Sequence, residues 1–296
     1  MPVSAAYLAV ILIWSTTPLG IVWSSESVSP TLAVLLRMLI AVVPGWLIIK
    51  FCNIELPWHK QAVKIYSYSA IGIFGGMLFS YTAARFIGSG LMSLIFGLAP
   101  IFSGLLAQKI LNEPKFSKTK KFSLLLALIG LFIVCFNSVS LTPDSFFGIA
   151  CVLCAVFFFS LSGVLVKSVD IKINPLATTV GSLTFCIPLF AAAWLLFDGS
   201  LPLEQWQARS LWAILYLGIF GSLLGFIAYF YVLQKLNAST VALITMMTPV
   251  FALYLGALLN DEVITPNLVI GAVCVMSGLA LYQWGGRRRT KVSVTS

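Results

Sequence analysis

Arg37 is the one charged residue in an otherwise apolar stretch that runs from Ser27 to Ile49. A charge near the centre of a membrane-spanning helix costs about 2.5–3.5 kcal/mol, so such an arginine needs water, an acidic partner or a bound anion nearby. Two interpretations of Arg37 follow. It contacts the carboxylate or phosphate of a small molecule, or it is a structural residue that pairs with an acid such as Glu26.

Pro100 and Pro249 lie in the middle of two other apolar stretches, and Gly97 precedes the first of them by three residues. A proline inside a helix removes one backbone donor and frees the carbonyl four residues earlier. We therefore interpret Gly97, Pro100 and Pro249 as hinge residues that bend their helices. The alternative is a static kink that only shapes packing.

Hydroxyl and aromatic side chains recur within the apolar stretches. Hydroxyls hydrogen-bond without carrying a charge, and aromatic faces bind cations or apolar groups. The alternative role of each is helix packing. Together with Arg37, the predicted binding residues are Trp14, Ser15, Thr17, Tyr81, Phe159, Ser160, Ser162, Tyr229, Tyr231 and Thr245.

The acids Glu113, Asp261 and Glu262 lie at the ends of apolar stretches, and no acid lies near the middle of one. We expect these three acids to cap loops or pair with basic residues, with a proton-coupling role at Asp261–Glu262 as the alternative. His59 is the single histidine, and the sequence has no phosphate-binding P-loop pattern. We therefore expect no catalytic residues, no bound metal and no cofactor.

The elements that carry these residues are long and apolar. The chain of 296 residues is 60% hydrophobic and 9% charged, with a mean hydropathy of +1.03. Soluble domains carry about 25% charged residues, and unbroken apolar blocks exclude a transmembrane barrel, whose strands alternate. A membrane helix needs about 20 apolar residues. Ten segments meet this need, which predicts an all-α integral membrane protein in a lipid bilayer: 1–25, 27–49, 65–84, 86–108, 122–143, 145–166, 173–197, 210–234, 236–260 and 263–286.

The basic residues predict the orientation of these ten segments. With the N-terminus in the cytoplasm, fifteen Lys and Arg residues fall on the inner side, only Arg85 and Arg209 fall on the outer side, and Arg37 is within a segment. Cytoplasmic loops are enriched in Lys and Arg, so both termini are predicted to be cytoplasmic. The net charge of +9 thus reflects topology, and we expect no nucleic-acid partner.

The two halves of the sequence resemble each other. The run Gly72-Ile-Phe-Gly75 recurs as Gly218-Ile-Phe-Gly221, and Tyr81–Glu113 is matched by Tyr231–Glu262. Five helices per half is an odd number, so the second copy is inverted relative to the first. Such repeats are the architecture of alternating access. We expect two inverted five-helix repeats, 1–140 and 141–296, around a central cavity.

These features resemble the EamA family of the drug/metabolite transporter superfamily. The matching residues are Trp14, Ser15, Pro30 and Arg37, together with the two segments that end in Glu113 and Glu262. The resemblance implies export of small metabolites such as amino acids across the bacterial inner membrane. It leaves the substrate and the oligomeric state open. Efflux of amphipathic cationic drugs and transport of phosphorylated metabolites are the alternatives, and the missing catalytic constellation disfavours a membrane enzyme.

Overall fold

The computed structural model describes residues 2–137, 143–236, 241 and 244–290, with side chains described outside 134–137, 245–246 and 283–290. The described residues form helices and contain no strand. In chain order the helices are α1 (Val3–Ser24), α2 (Pro30–Phe51), α3 (Lys60–Ala83), α4 (Ser89–Phe96 and Ala99–Ile110), α5 (Lys118–Asn137), α6 (Pro143–Lys167), α7 (Pro175–Phe197), α8 (Ala208–Lys235), α9 (Ile244–Asn260) and α10 (Pro266–Thr290).

Proline starts many of these helices. Pro30, Pro143, Pro175 and Pro266 are the first residues of their helices, where a missing N–H costs nothing because it has no intrahelical acceptor. Before Pro175, the Asn174 side chain accepts a hydrogen bond from the Leu176 N–H at 2.9 Å. The turns are therefore encoded locally, and they leave long apolar segments between them.

Seven of the described helices are long and apolar enough to cross a membrane, and shorter apolar helices cover Met247–Asn260 and Pro266–Tyr282. Large apolar side chains point outward along them, for example Leu12 at 62% exposed, Phe132 at 63% and Leu196 at 81%. An apolar surface of this extent is matched by lipid rather than by water. The fold is therefore that of an all-helical, multi-pass membrane protein.

Two helices depart from regular α geometry. Helix α4 is interrupted at Gly97–Leu98, just before Pro100, which opens its second half. Helix α8 contains a π-helical segment, Leu217–Leu224, in the middle of its length. π-Helical turns are rare and are frequent at functional sites, and both irregular segments lie beside the cavities described below.

Glycines bring particular helix pairs into close contact. A Cβ on Gly130 would lie 2.6 Å from the Gly271 carbonyl oxygen, and one on Gly278 would lie 2.7 Å from the Ser123 carbonyl oxygen. These contacts join α5 to α10. A Cβ on Gly72 would overlap the Ser162 side chain, and one on Gly75 would lie 2.6 Å from the Phe158 side chain. These two contacts join α3 to α6.

The buried apolar residues form two large clusters. One is built mainly by α1, α2, α7 and α8, and the other mainly by α4, α5, α6 and α10. The cavities have walls from both groups of helices. Trp14 and Arg37 come from the first group, and Phe96, Pro100 and Phe159 from the second.

Candidate functional site

A cavity lined by buried and half-buried residues lies next to Arg37, and we call it the Arg37 cavity. Its volume is about 70 Å³, which is room for several waters at about 10–15 Å³ each, or for a small polar group. Hydroxyl groups of Thr17, Ser80, Ser93 and Thr248 belong to its wall, and its apolar lining includes Trp14, Met77, Met92, Phe96, Phe159 and Phe226.

The Arg37 side chain is fully buried, with 0% exposure. Its Nε donates a hydrogen bond to the Ser222 Oγ at 2.7 Å, whereas its Nη1 is buried without a partner. Among the described residues, the one ion pair within 4 Å joins Arg209 to Glu26 at 3.6 Å. Glu26 is thus paired elsewhere, and the suggested Arg37–Glu26 pair is wrong. Arg37 therefore brings to this cavity a buried charge that has no acidic partner in the part of the chain that the structure describes.

Ser222 lies in the π-helical segment of α8, and sequence reasoning did not select it. The segment carries small residues on the side facing α2: a Cβ on Gly218 would lie 2.5 Å from Ile40, and one on Gly221 would lie 3.0 Å from the Arg37 Nη2. The clustering of Gly218, Gly221 and Ser222 is the signal that could have indicated close approach to Arg37.

Three aromatic rings separate the Arg37 cavity from a second cavity, and we call them the ring partition. The Trp14 ring centre lies 5.4 Å from that of Phe159 and 5.1 Å from that of Tyr229, and Phe159 and Tyr229 are 5.6 Å apart. Trp14 and Phe159 line both cavities. The sequence predicted all three rings as binding residues, and the structure brings them together.

The second cavity, the Glu113 cavity, has a volume of about 140 Å³. It reaches the surface, because Glu113 is exposed and belongs to its wall. Two half-buried lysines, Lys120 and Lys167, line the same cavity, as do Pro100 and Tyr282. Its charged groups therefore surround an opening at the end of the molecule that holds the α4–α5 loop.

Lys120 is held in place by aromatic rings. Its Nζ lies 4.7 Å from the Tyr282 ring centre and 5.6 Å from that of Phe116. Burial lowers the pKa of the Lys120 ammonium, and the negative charge of Glu113 partly offsets that effect. Lys120 precedes the uncharged stretch that starts at Phe122, so this ammonium lies at the mouth of the cavity.

Glu262 lies at the opposite end of α4 from Glu113. Its Oε1 accepts hydrogen bonds from the Ser89 N–H at 2.8 Å and the Ser89 hydroxyl at 2.7 Å, and its Oε2 accepts one from the Gly90 N–H at 3.0 Å. The carboxylate thus caps the start of α4, where unpaired N–H groups favour an anion. Asn260 extends this network by bonding both Glu262 at 3.3 Å and the Trp23 indole N–H at 2.8 Å.

Other predicted binding residues face their own helices or neighbours. The Ser15 hydroxyl donates to the Ile11 carbonyl at 2.7 Å, and that of Thr17 to the Ile13 carbonyl at 2.8 Å, although Thr17 also lines the Arg37 cavity. The Ser160 hydroxyl donates to the Ala99 carbonyl, beside the α4 interruption, at 3.2 Å. Ser162 packs against Gly72.

Two further predicted residues belong to neither cavity's described wall, and the side chain of a third is outside the described residues. Tyr81 is fully buried in the first apolar cluster, and its hydroxyl has no hydrogen-bond partner among the described residues. Tyr231 packs at the edge of that cluster. The Thr245 side chain lies outside the described residues.

The predicted hinge and end-of-helix residues have distinct positions. Gly97 and Pro100 flank the α4 interruption, whereas α9 is described as one helix through Pro249. Asp261 has a φ of +50° and Asn112 a φ of +54°, each one residue before a glutamate. In both turns the glutamate N–H bonds a carbonyl six residues earlier, Glu113 to Ala107 and Glu262 to Gly256, both at 3.2 Å.

Comparison with known proteins identifies the class of this helical membrane protein as a transporter. The model of the EamA-like transporter family matches residues 2–136 and 146–283, so the chain belongs to that family. The uncharacterized transporter YoaV of Bacillus subtilis is 27% identical over 289 residues, which is 95% of this chain and 97% of that protein.

More distant relatives extend the comparison. A protein of Escherichia coli named a probable amino-acid metabolite efflux pump is 23% identical over 298 residues, covering 98% of this chain and 97% of the relative. One crystal structure superposes with a TM-score of 0.69 at 19% sequence identity, over 97% of this chain and 98% of the other. That likeness supports the fold alone.

Proposed function

We propose that this protein is a secondary transporter that exports small metabolites carrying a carboxylate, amino acids or related compounds, by alternating access. The observation that carries the proposal is the buried Arg37, which borders a cavity and has one hydroxyl partner and no acidic partner among the described residues. The name of the Escherichia coli relative, an amino-acid metabolite efflux pump, supports the same substrate class.

An unpaired buried charge is expensive, by several kcal/mol even after relaxation. A substrate carboxylate in the Arg37 cavity would remove that cost, because guanidinium and carboxylate match as a bidentate, charge-assisted pair. The free Nη1 is a donor left for this purpose. Ser93 in the same wall adds a neutral hydroxyl group that does not compete for the charge.

Two other observations support an alternating-access cycle. The Asn112–Glu113 and Asp261–Glu262 turns have the same backbone geometry. The family model matches two successive segments of the chain. Both observations fit two related five-helix repeats, about 1–140 and 141–296, with ten spans in total. The ends of the molecule differ, since Glu262 caps α4 whereas Glu113 borders an open cavity. We infer that the structure faces the Glu113 side.

The Lys and Arg distribution supports a cytoplasmic position for both termini. In this proposed orientation within the bacterial inner membrane, the Glu113 cavity faces the cytoplasm. An exporter in this state accepts substrate from the cytoplasm. Closure around the Glu113 cavity and release of the Glu262 network then expose the Arg37 cavity to the outside.

The test is transport by the purified protein in proteoliposomes loaded with labelled phenylalanine, leucine and threonine. We expect saturable efflux, and we expect Arg37→Gln to lower kcat/KM by about ten- to a hundredfold, since a hydrogen bond to a charged group contributes about 1.5–3 kcal/mol. Arg37→Lys keeps the charge but loses the bidentate geometry, so it should recover only part of the activity.

Arg85→Gln is the matched control, because Arg85 is exposed and belongs to the described wall of neither cavity. The methyl ester of the best substrate lacks the carboxylate, so wild type and Arg37→Gln should transport it with similar kcat/KM. Full activity of a correctly folded Arg37→Gln variant would make Arg37 structural. Transport of a cationic dye but of no amino acid would favour drug efflux, and transport of a sugar phosphate alone would favour phosphorylated substrates.

A further inference from the structure

The Glu113 cavity holds charges of both signs that do not neutralise each other directly. Glu113, Lys120 and Lys167 all line it, yet no pair of these three residues lies within ion-pair distance. The negative charge of Glu113 nevertheless raises the pKa of both lysine ammonium groups, against the larger lowering effect of burial. Between these groups there is space for a ligand that bridges them.

The charged groups are positioned by rigid elements rather than by a loop alone. Lys120 lies in the first turn of α5 and is held over the Tyr282 ring of α10, and α5 and α10 touch through Gly130 and Gly278. Lys167 is the last residue of α6. Because their helices are packed in place, the two ammonium groups present a fixed spacing to the cavity.

We propose that Glu113, Lys120 and Lys167 form a separate binding site for the ammonium and carboxylate groups of an α-amino acid. We call it the outer site because the substrate occupies it before it passes the ring partition to Arg37. This site deepens the proposed function and rests on it. The Glu113 carboxylate accepts hydrogen bonds from the substrate ammonium, and the lysine ammonium groups donate to the substrate carboxylate.

The mixed charge selects the ligand class. A phosphate would suit the two lysines but would meet the negative charge of Glu113. An amphipathic cation would suit Glu113 but would meet two positive charges. A zwitterion satisfies all three groups. Because the lysines are half-buried, each charge–charge interaction with the ligand is stronger than it is in water.

The ring partition makes the two binding sites successive. Trp14 and Phe159 belong to both cavities, so the rings stand between the Glu113 cavity and Arg37. Aromatic faces attract an ammonium group and pack against an apolar side chain, which lets the substrate pass without losing all of its partners. The outer site is therefore reached from one face of the membrane only.

This one-sidedness gives the test. Initial rates are measured in proteoliposomes of defined orientation, with substrate added on either face, for the amino acid of the panel with the lowest KM and for its α-hydroxy acid analogue, which lacks the ammonium. We expect Glu113→Gln to raise the amino-acid KM five- to tenfold from the Glu113 face and less than twofold from the opposite face. The hydroxy acid should show no such increase.

Lys167→Gln should raise KM for both compounds from the Glu113 face, because both carry a carboxylate. Lys118→Gln is the matched control, since Lys118 is exposed in the same turn of α5 as Lys120 and outside the cavity wall. Glu113→Asp keeps the charge and should recover part of the affinity.

An unchanged amino-acid KM from the Glu113 face in Glu113→Gln would overturn the outer site. An equal change from both faces would also overturn it, because that result means a structural role. Neither result bears on Arg37, whose substitution should impair transport from both faces, so failure of the outer site and failure of the proposed function are distinguishable.

Discussion

At the scale of single residues, the charges of this protein divide into those with partners and those without. Glu262 accepts four hydrogen bonds from described donors on Ser89, Gly90 and Asn260. Among the described residues, Arg37 has one hydrogen-bond partner, Ser222, and its Nη1 has none. The satisfied Glu262 carboxylate stabilises the start of α4, whereas an unsatisfied guanidinium beside a cavity is suited to binding.

Replacing Glu262 by Gln tests the first of these roles. The amide keeps one acceptor oxygen but turns an NH₂ group towards N–H donors at the start of α4. Since hydrogen bonds to charged groups contribute about 1.5–3 kcal/mol, we expect a loss of that order in the free energy of unfolding. Thermal unfolding in detergent, followed by intrinsic fluorescence, measures it.

Glu204→Gln is the control for Glu262→Gln, because Glu204 is exposed in a short 3₁₀ turn. Equal melting temperatures for Glu262→Gln and wild type would contradict the capping role. A lowered melting temperature accompanied by faster transport would connect release of this cap to opening of that end.

At the scale of helices, small residues decide which helices touch. Helices α3 and α6 meet at Gly72 and Gly75, and the α4 interruption at Gly97–Leu98 lies beside Ser160 of α6. The π-helical segment of α8 turns Ser222 towards Arg37 of α2. Each of these contacts depends on a residue with little or no side chain at one position.

Gly72 and Gly76 form a matched pair on α3. A Cβ on Gly72 would overlap Ser162, whereas one on Gly76 would have its nearest neighbour at 3.6 Å, an ordinary contact. Overpacking costs about 1–3 kcal/mol, so Gly72→Ala should lower the melting temperature in detergent. Gly76→Ala should leave it unchanged or slightly raised, because alanine favours the helix.

A melting temperature of Gly72→Ala at or above that of Gly76→Ala would show that α3 and α6 are not closely packed at Gly72. Circular dichroism of both variants provides the check that helix content is retained.

At the scale of the whole molecule, the Glu262 cap and the Glu113 cavity lie at opposite ends of α4. This asymmetry coexists with matching turns at Asn112–Glu113 and Asp261–Glu262. Related sequences in different surroundings are what an inverted repeat caught in one state of its cycle would give.

Equivalent positions of the two repeats test the inversion directly. Lys115 and Ile264 each lie two residues after the matched glutamates, and both are exposed. In a variant whose six native cysteines are replaced, an impermeant maleimide added to intact cells should label Ile264→Cys and leave Lys115→Cys unlabelled. Both should react after permeabilisation.

Labelling of Lys115→Cys but not of Ile264→Cys in intact cells would reverse the proposed orientation. Labelling of both positions from the same side would contradict the inverted repeat itself.

The sequence by itself determined the apolar, all-helical membrane fold and most helix ends, because span length, prolines and charges act locally and are read without knowing neighbours. It also selected Arg37, because a charge within an apolar stretch is unusual, and the rings Trp14, Phe159 and Tyr229, because aromatic faces can bind cations or apolar groups. Only the tertiary structure decided the partners: Ser222 for Arg37, Arg209 for Glu26, and Ser89 for Glu262. The three pairs join residues that are 173 to 185 positions apart in the chain. Contacts between residues so far apart depend on how the helices pack, and a pattern along one helix does not specify that packing.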